Sequence, residues 1–317
     1  MFIEQGIHSE NKFWKYLIGS LIIAVASTVG QIPLVIAILI KVFTENKSFP
    51  TSENDLMTFL DSNLTLFLLM LSFAVALFAV YLVVKYIHRQ TFLSVTTSRK
   101  KVDWSRVFFS FSLWAIFSIV STLISYYTSP ENFVFNFKPI PFLILFIIGV
   151  IMIPIQTSTE EYVFRGYLMQ GFANLSQNKW FPLVMTSVIF GGMHYFNPEV
   201  GKMGDIIMIY YIGTGFMLGI LTLMDEGMEL ALGFHAANNL IGALLVTTDW
   251  TVFQTDSILR DVSEPAAGLE IILPIFVVYP ILLFVFSKKY NWTNWKEKLT
   301  GNIDTHVNEI HEIGENE

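Results

Sequence analysis

The chain contains no cysteine, so disulfide bonds and thiolate chemistry are excluded. Charged residues are scarce as well, at 14% of the 317 residues, whereas a typical soluble domain has about 25%. Acidic residues outnumber basic ones and give a net charge of -7, which argues against a nucleic-acid partner. The sequence also lacks the H-E-x-x-H pattern of zincin-type metalloproteases and the G-x-S-x-G pattern of rhomboid-like serine proteases.

Long apolar runs are the most prominent feature that is present, since hydrophobic residues make up 53% of the chain. Runs of about 20 apolar residues are long enough to cross ~30 Å of hydrocarbon as helices. The sequence therefore predicts an all-α polytopic membrane protein with about eight transmembrane helices, the fourth of which is too long for a simple crossing. The predicted spans are Tyr16–Ile40, Leu64–Val84, Val107–Tyr127, Ile140–Asn174, Trp180–Phe196, Ile206–Met224, Leu230–Val246 and Leu269–Phe286.

Basic residues in the short loops predict the orientation of these spans, because such loops favour the cytoplasmic side. The loops opposite them, Thr128–Pro139 and Asp249–Ala267, contain only one basic residue each. This asymmetry predicts that both ends of the chain face the cytoplasm. The basic residues are Lys85, Arg89, Arg99, Lys100, Lys101 and Arg106 after the second span, and Lys288, Lys289, Lys296 and Lys298 after the last.

Five ionisable residues inside the apolar runs fall in one region of the chain: Glu160, Glu161, Arg165, His194 and His235. A charged group at the centre of a bilayer costs ~2.5–3.5 kcal/mol on insertion scales, so such residues usually mark a functional site. The acidic tail from Asn302 to Glu317 is expected to be solvated or disordered. We therefore expect the chemistry to lie between Glu160 and Asn239.

The predicted fourth span, Ile140–Asn174, would be ~52 Å long at about 1.5 Å per residue, so it must kink, break or protrude. Pro154 is the obvious point for a break, because proline removes a backbone hydrogen bond. The glutamates could then open a new helical segment, with Thr157 and Glu160 forming a capping box. That purely structural role is the alternative to a catalytic role for Glu160.

Glu161 and Arg165 are four residues apart, which on a helix places them on one face within pairing distance. Glu160 is rotated by ~100° from Glu161, so it can point elsewhere. This arrangement would leave one glutamate structural and the other free for chemistry. A structural ion pair with no chemistry is the alternative for Glu161 and Arg165.

His194 is expected to lie at the same depth as Glu160. Gln177 lies 17 residues after Glu160 and 17 residues before His194, so an antiparallel helical hairpin would bring the two to one level. Farther along, His235 and Asn239 share a helix face, although His235 falls early in its span and would be shallower. Interhelical hydrogen bonding without catalysis is the alternative for these side chains.

Two kinds of chemistry fit these residue types. A carboxylate or imidazole could activate water while an amide stabilises the developing oxyanion, which suits peptide hydrolysis. Alternatively, two histidines and a carboxylate, namely His194, His235 and Glu160, could hold a divalent metal such as zinc that activates the water.

Three motifs in order resemble a known family. Glu160 to Arg165 reads E-E-x-x-x-R, Phe190 to His194 reads F-x-x-x-H, and His235 to Asn239 reads H-x-x-x-N. This order is similar to the signature of the CPBP (Abi, type II CAAX prenyl endopeptidase) intramembrane proteases. The resemblance covers about residues 140–246.

The resemblance implies an eight-helix fold with an intramembrane catalytic cavity, in a bacterial cell membrane. It implies that Glu160 and His194 activate water, that His235 and Asn239 bind the oxyanion, and that Glu161 with Arg165 holds the geometry. In the metal-dependent alternative His235 is a metal ligand instead. The implied substrate is a hydrophobic or prenylated peptide or membrane protein, which the protein would bind within the lipid bilayer.

The predicted organisation is a transmembrane scaffold of about three helices (1–139), a catalytic core (140–250), a last span (251–290) and a polar tail (291–317). Two other functions fit the sequence. One is a non-catalytic bacteriocin-immunity or scaffold protein, in which the site residues form only a polar core. The other is a secondary transporter with a buried proton relay, although a transporter should show an internal repeat and none is evident.

Overall fold

The computed structural model describes residues 1–8, 10–265 and 268–303, so most of the acidic tail, residues 304–317, lies outside the described part. The prediction of an all-α polytopic protein is confirmed. Within the described part, six helical stretches are long and apolar enough to span a membrane. The helices are α1 (Phe13–Gly30), α2 (Ile32–Glu45), α3 (Glu53–Phe59), α4 (Ser62–Leu82), α5 (Trp104–Thr128), α6 (Pro139–Glu161), α7 (Met169–Ser176), α8 (Trp180–Met193), α9 (Pro198–Met203), α10 (Met208–Asp225), α11 (Glu229–Leu245), α12 (Leu269–Leu273), α13 (Tyr279–Tyr290) and α14 (Trp295–Thr300).

Several helices run on through wider π-helical turns. Val83–Ile87 extends α4, Tyr162–Leu168 joins α6 to α7, and Pro274–Val278 joins α12 to α13. Short 3-10 turns occupy Phe2–Gly6, Pro130–Asn132 and Asp205–Ile207. The stretch from α6 through α7 is continuous over 38 residues, so the predicted length of this segment is confirmed.

The structure corrects the prediction of a break at Pro154. Helix α6 continues through Pro154 to Glu161, and Thr157 lies inside it, where its hydroxyl donates to the Ile153 carbonyl at 3.1 Å. The capping box of Thr157 and Glu160 is therefore wrong. Pro154 removes a single amide donor, and a membrane helix tolerates this loss when nearby side chains and neighbouring helices compensate. The irregularity comes later, in the π turn that carries Arg165.

The first predicted span is also divided, because α1 and α2 meet at Gln31 instead of forming one regular helix. Pro33 lies in the first turn of α2, where a missing amide donor costs least. The interruption places the polar Gln31 side chain inside the apolar segment, beside the cavity described below.

The helices pack around α6 and α11. Helix α11 packs along α5 and α6, α10 packs along α8, and α4 lies between α1 and α6. Two glycines allow close approaches between helices: a Cβ atom on Gly233 would lie 2.1 Å from the Val107 carbonyl oxygen, and one on Gly191 would lie 2.4 Å from Ile212 Cγ1. These contacts fix the positions of α8 and α11, which carry His194 and His235.

A small sheet closes the end of the helix bundle opposite the termini. Strand β3 (Leu259–Asp261) pairs antiparallel with β1 (Phe133–Phe135) and parallel with β2 (Val246–Thr247). At the other end, the Phe2 amide donates to Glu226 and Lys179 pairs with Glu297 at 3.2 Å. The two ends of the described chain therefore meet on one face of the bundle.

Candidate active site

A cavity of about 640 Å³ lies between the helices. It is walled by residues from α1, α4, α6, α8, α10 and α11 and from the loop after β2. Four of the predicted site residues line it: Glu160, His194, His235 and Asn239. The other two, Glu161 and Arg165, are fully buried behind the wall. The six predicted residues thus divide into a cavity-facing set and a supporting pair.

Glu160 presents its carboxylate to the cavity from the last turn of α6. Its Oε1 accepts a hydrogen bond from Gln156 Nε2 at 2.6 Å, and its Oε2 lies 3.4 Å from His235 Nε2. Gln156 is four residues earlier on the same helix, so both side chains occupy one face. The sequence reasoning missed Gln156, although its spacing from Glu160 was a usable signal.

Glu161 and Arg165 form the predicted ion pair, with Arg165 Nη1 3.1 Å from Glu161 Oε1. Arg165 also donates to the Gly215 carbonyl at 3.1 Å, and its guanidinium carbon lies 4.4 Å from the centre of the Phe190 ring. Because arginine stays protonated and its planar fork bonds several acceptors at once, it anchors the π turn to α8 and α10.

His235 bridges the two glutamates. Its Nδ1 lies 2.7 Å from Glu161 Oε1, and its Nε2 faces Glu160 Oε2. Since Glu161 is paired with Arg165 and serves as an acceptor, the hydrogen of His235 belongs on Nδ1. The expected depth mismatch of His235 is therefore absent, because packing of α11 against α6 brings the imidazole to the level of Glu160.

His194 follows the last residue of α8 at the cavity edge. Its Nδ1 donates to the Phe190 carbonyl at 2.8 Å, because a carbonyl can only accept, and this leaves Nε2 as the lone-pair nitrogen of the neutral ring. The ring stacks on Tyr211 with centroids 4.4 Å apart. Glu160 and His194 share the cavity, but their hydrogen bonds within the described chain go to other partners.

Asn239 belongs to a group of amides that the motif analysis found only in part. Asn239 Nδ2 donates to Gln156 Oε1 at 3.0 Å, and Asn238 Nδ2 donates to Asn239 Oδ1 at 3.0 Å. Trp114 Nε1 on α5 donates in turn to Asn238 Oδ1 at 3.1 Å. No sequence pattern links α5 to this group, since the contact depends on how α5 packs on α11.

The predicted scaffold region also contributes to the cavity. Ser20 and Ser27 of α1, Gln31 between α1 and α2, and Ser72 of α4 line its wall. Isolated serines in apolar helices carry no signal in the sequence, because such residues usually bond to their own helix. The first helices are therefore part of the site as well as a support for it.

Comparison with known proteins identifies the family of the chain. The family described as type II CAAX prenyl endopeptidase Rce1-like matches residues 139–241, the segment that contains all six predicted residues. The "Uncharacterized protein YyaK" of Bacillus subtilis (strain 168) is 30% identical over 249 residues, covering 78% of this chain and 82% of that protein. The chain belongs to the Rce1-like family. No solved structure matches it significantly.

The sequence left open a mechanism in which Glu160, His194 and His235 hold a divalent metal, so the arrangement of these side chains was compared with that of a metal site. Within the described residues, no three His, Cys, Asp or Glu side chains converge as metal ligands. Both ring nitrogens of His235 face carboxylates, and Glu160 is bonded to Gln156 and lies against His235. The side chains as arranged therefore do not fit a site formed by Glu160, His194 and His235.

Proposed function

We propose that this member of the Rce1-like family is an intramembrane endopeptidase that hydrolyses a peptide bond with water activated by Glu160. The observation that carries the proposal is the division of the six motif residues. Four polar side chains face one cavity, and a buried ion pair behind them holds one of the four in place. A set of residues that served only to join helices would have no reason to face open space.

In the proposed reaction Glu160 acts as general base. It takes a proton from a water molecule while the water oxygen attacks the scissile carbonyl carbon, and the lone pair of His194 Nε2 orients that water. The carbonyl oxygen becomes an oxyanion. The carbon–nitrogen bond then breaks, and the proton held by Glu160 passes to the departing amine. The products are a carboxylic acid and an amine, and transfer of the acid proton to the amine gives a carboxylate and an ammonium group, so the reaction consumes one water and needs no other reactant.

The oxyanion is stabilised by donors fixed before the reaction begins. Asn239 has two side-chain N–H groups, and only one of them is used on Gln156. The second is free to bond an oxygen in the cavity. His235 adjoins it and is held by Glu161 through its Nδ1, and its Nε2 is a second donor only in the doubly protonated ring. Glu161 and Arg165 act by fixing His235 and touch no substrate.

The cavity also indicates a class of substrate. Its volume lies within the ~300–1,000 Å³ of typical ligand sites, and residues such as Ile23, Leu69, Phe73 and Phe253 make much of its wall apolar. A hydrophobic segment or a prenylated C-terminus would bury apolar surface here, whereas a polar peptide would have to be desolvated without compensation. We propose that the substrate is a hydrophobic or prenylated membrane-associated peptide.

The test is a peptide-cleavage screen with the purified protein in nanodiscs. Prenylated CAAX peptides and plain hydrophobic peptides would be compared with polar peptides of equal length, each with and without a strong chelator. We expect cleavage of one apolar class, none of the polar peptides, and no effect of the chelator. Chelator-sensitive cleavage would reinstate the metal-dependent mechanism.

Failure to cleave any peptide, by protein that is folded by circular dichroism, would count against the proposal. It would favour the immunity or scaffold alternative. Accumulation of an intact substrate in proteoliposomes, without cleavage, would favour the transporter alternative.

A further inference from the structure

Four hydrogen bonds join five side chains from three helices in an unbroken line that ends on Glu160. It begins at Trp114 on α5, passes through Asn238 and Asn239 on α11 and through Gln156 on α6, and reaches Glu160 Oε1. The distances along it are 3.1, 3.0, 3.0 and 2.6 Å. Only Asn239 and Glu160 belong to the motifs that define the family resemblance.

The two ends of this line fix its direction. An indole can only donate, and an ionised carboxylate can only accept. The carboxamides between them each have one accepting oxygen and one donating nitrogen, so each must receive on the side of Trp114 and donate on the side of Glu160. If any amide turned over, two oxygens or two N–H groups would face each other.

We propose that Trp114, Asn238 and Gln156 are positioning residues that set the orientation of Asn239 and Glu160 for hydrolysis. This inference rests on the proposed function, because it assigns Asn239 an oxyanion and Glu160 a water. The direction of the line keeps the Asn239 amide nitrogen in place, so that its unused N–H is available to the oxyanion. It also keeps an N–H of Gln156 on one oxygen of Glu160, which leaves the other oxygen for the water.

Removal of the Trp114 indole N–H should therefore alter the orientation of Glu160 at the other end of the line. In Trp114→Phe the ring remains packed against Phe117 and Phe234, whose centroids lie 4.9 and 4.5 Å away, but the indole N–H is gone. Asn238 then loses the donor to its Oδ1 and keeps its contact with Tyr210, so the direction of the amides after it is less strongly fixed. Gln156→Met removes the middle of the line with little change in volume. Gln156→Glu still accepts from Asn239 but presents a carboxylate to Glu160.

The test compares these three variants with the wild type and with a matched control. Ser110→Ala removes a different buried hydrogen bond between α5 and α11, from Ser110 Oγ to the Leu230 carbonyl at 2.7 Å, outside the line. We expect kcat to fall roughly tenfold in Trp114→Phe, as the loss of one hydrogen bond allows, with KM unchanged. In Gln156→Met it should fall about 100-fold, as a misplaced catalytic group does. Gln156→Glu should fall further, and Ser110→Ala should match the wild type.

A second measurement tests the line of hydrogen bonds without an activity assay. Protein labelled with ¹⁵N in the tryptophan indoles would give a resonance for Trp114 that is assigned by its loss in Trp114→Phe. We expect this indole N–H resonance to shift in Gln156→Met and to stay in place in Ser110→Ala. A Trp114 resonance that does not shift in Gln156→Met would overturn the proposal, whether or not a substrate is known. Equal losses of kcat in Ser110→Ala and Trp114→Phe would overturn it too.

If the wild type cleaves no peptide but the Trp114 resonance still responds to Gln156, the proposed function fails and the line itself stands. If peptides are cleaved and the resonance does not respond, the line fails and the proposed function stands.

Discussion

At the scale of single residues, the site depends on His235 being held between two carboxylates. Spacing alone predicted the Glu161–Arg165 pair, because a separation of four fixes neighbours on a helix, and the pair is confirmed at 3.1 Å. The contacts of His235 could not be predicted in this way. They depend on the rotation and height of α11 against α6, which no local pattern encodes. The same holds for Trp114, which joins the site from a third helix.

Replacement of Arg165 by alanine should destabilise the protein. Glu161 would stay fully buried with only His235 as a partner, and breaking a buried pair costs about 3–5 kcal/mol. We expect a clear fall in the melting temperature in detergent, followed by fluorescence. Arg89→Ala is the matched control, since Arg89 pairs with Glu10 on the exposed surface and should be nearly neutral. A melting temperature for Arg165→Ala equal to that of Arg89→Ala would contradict the role assigned to this pair.

At the scale of elements, close packing of α11 on α5 and α6 delivers His235 and Asn239 to the cavity. The length of each apolar run predicted that these helices exist, and most bounds agree within a few residues. The prediction that α6 breaks at Pro154 was wrong. Proline is a visible signal, but one missing amide did not end this helix, whereas the π turn at Tyr162–Leu168 has no marker in the sequence.

Two glycines of α11 give a direct test of this packing. A Cβ atom at Gly233 would clash with the Val107 carbonyl on α5, while one at Gly242 would meet nothing within 4 Å. We expect Gly233→Ala to lower the melting temperature and the cleavage rate together, by about 1–3 kcal/mol of stability as overpacking does. Gly242→Ala should be neutral or slightly stabilising, because alanine favours a helix. Equal behaviour of the two variants would show that α11 is not held at Gly233.

At the scale of the whole molecule, the two ends of the described chain meet on the face opposite the small sheet. Arg99 from the loop before α5 and Arg106 from the first turn of α5 pair there with Asp225, and Arg99 also pairs with Glu229 at 3.0 Å. The basic loops of the sequence predicted that this face is cytoplasmic, and its cytoplasmic location stays a prediction. It did not predict that α1 and α4 wall the cavity, since their polar residues are few and scattered.

A buried histidine on this face makes stability depend on pH. His88 contacts Asn11 and lies 3.0 Å from the Tyr167 hydroxyl, and burial, aided by the charges of Lys15 and His8, lowers its pKa to about 4. The unfolded chain binds this proton near pH 6.5, so the contribution of neutral His88 is complete above that pH. It is lost as the pH falls from about 6.5 towards 4.

We therefore expect the difference in melting temperature between the wild type and His88→Gln to be constant above about pH 7 and to shrink as the pH falls towards 4. Thermal unfolding in one detergent across this range measures it, and the comparison with His88→Gln cancels other titrating groups. A difference that does not change with pH would show that His88 titrates alike in the folded and unfolded states.

The most direct test of the account is the rate at which Glu160→Gln cleaves a hydrophobic or prenylated peptide identified for the wild type, measured in nanodiscs. Glutamine keeps the volume of the side chain but cannot accept a proton from water. Because general-base catalysis contributes about 100- to 10,000-fold, we predict a loss of about 1,000-fold with an unchanged melting temperature. A Glu160→Gln protein that cleaves at close to the wild-type rate would contradict the assignment of Glu160 as the base.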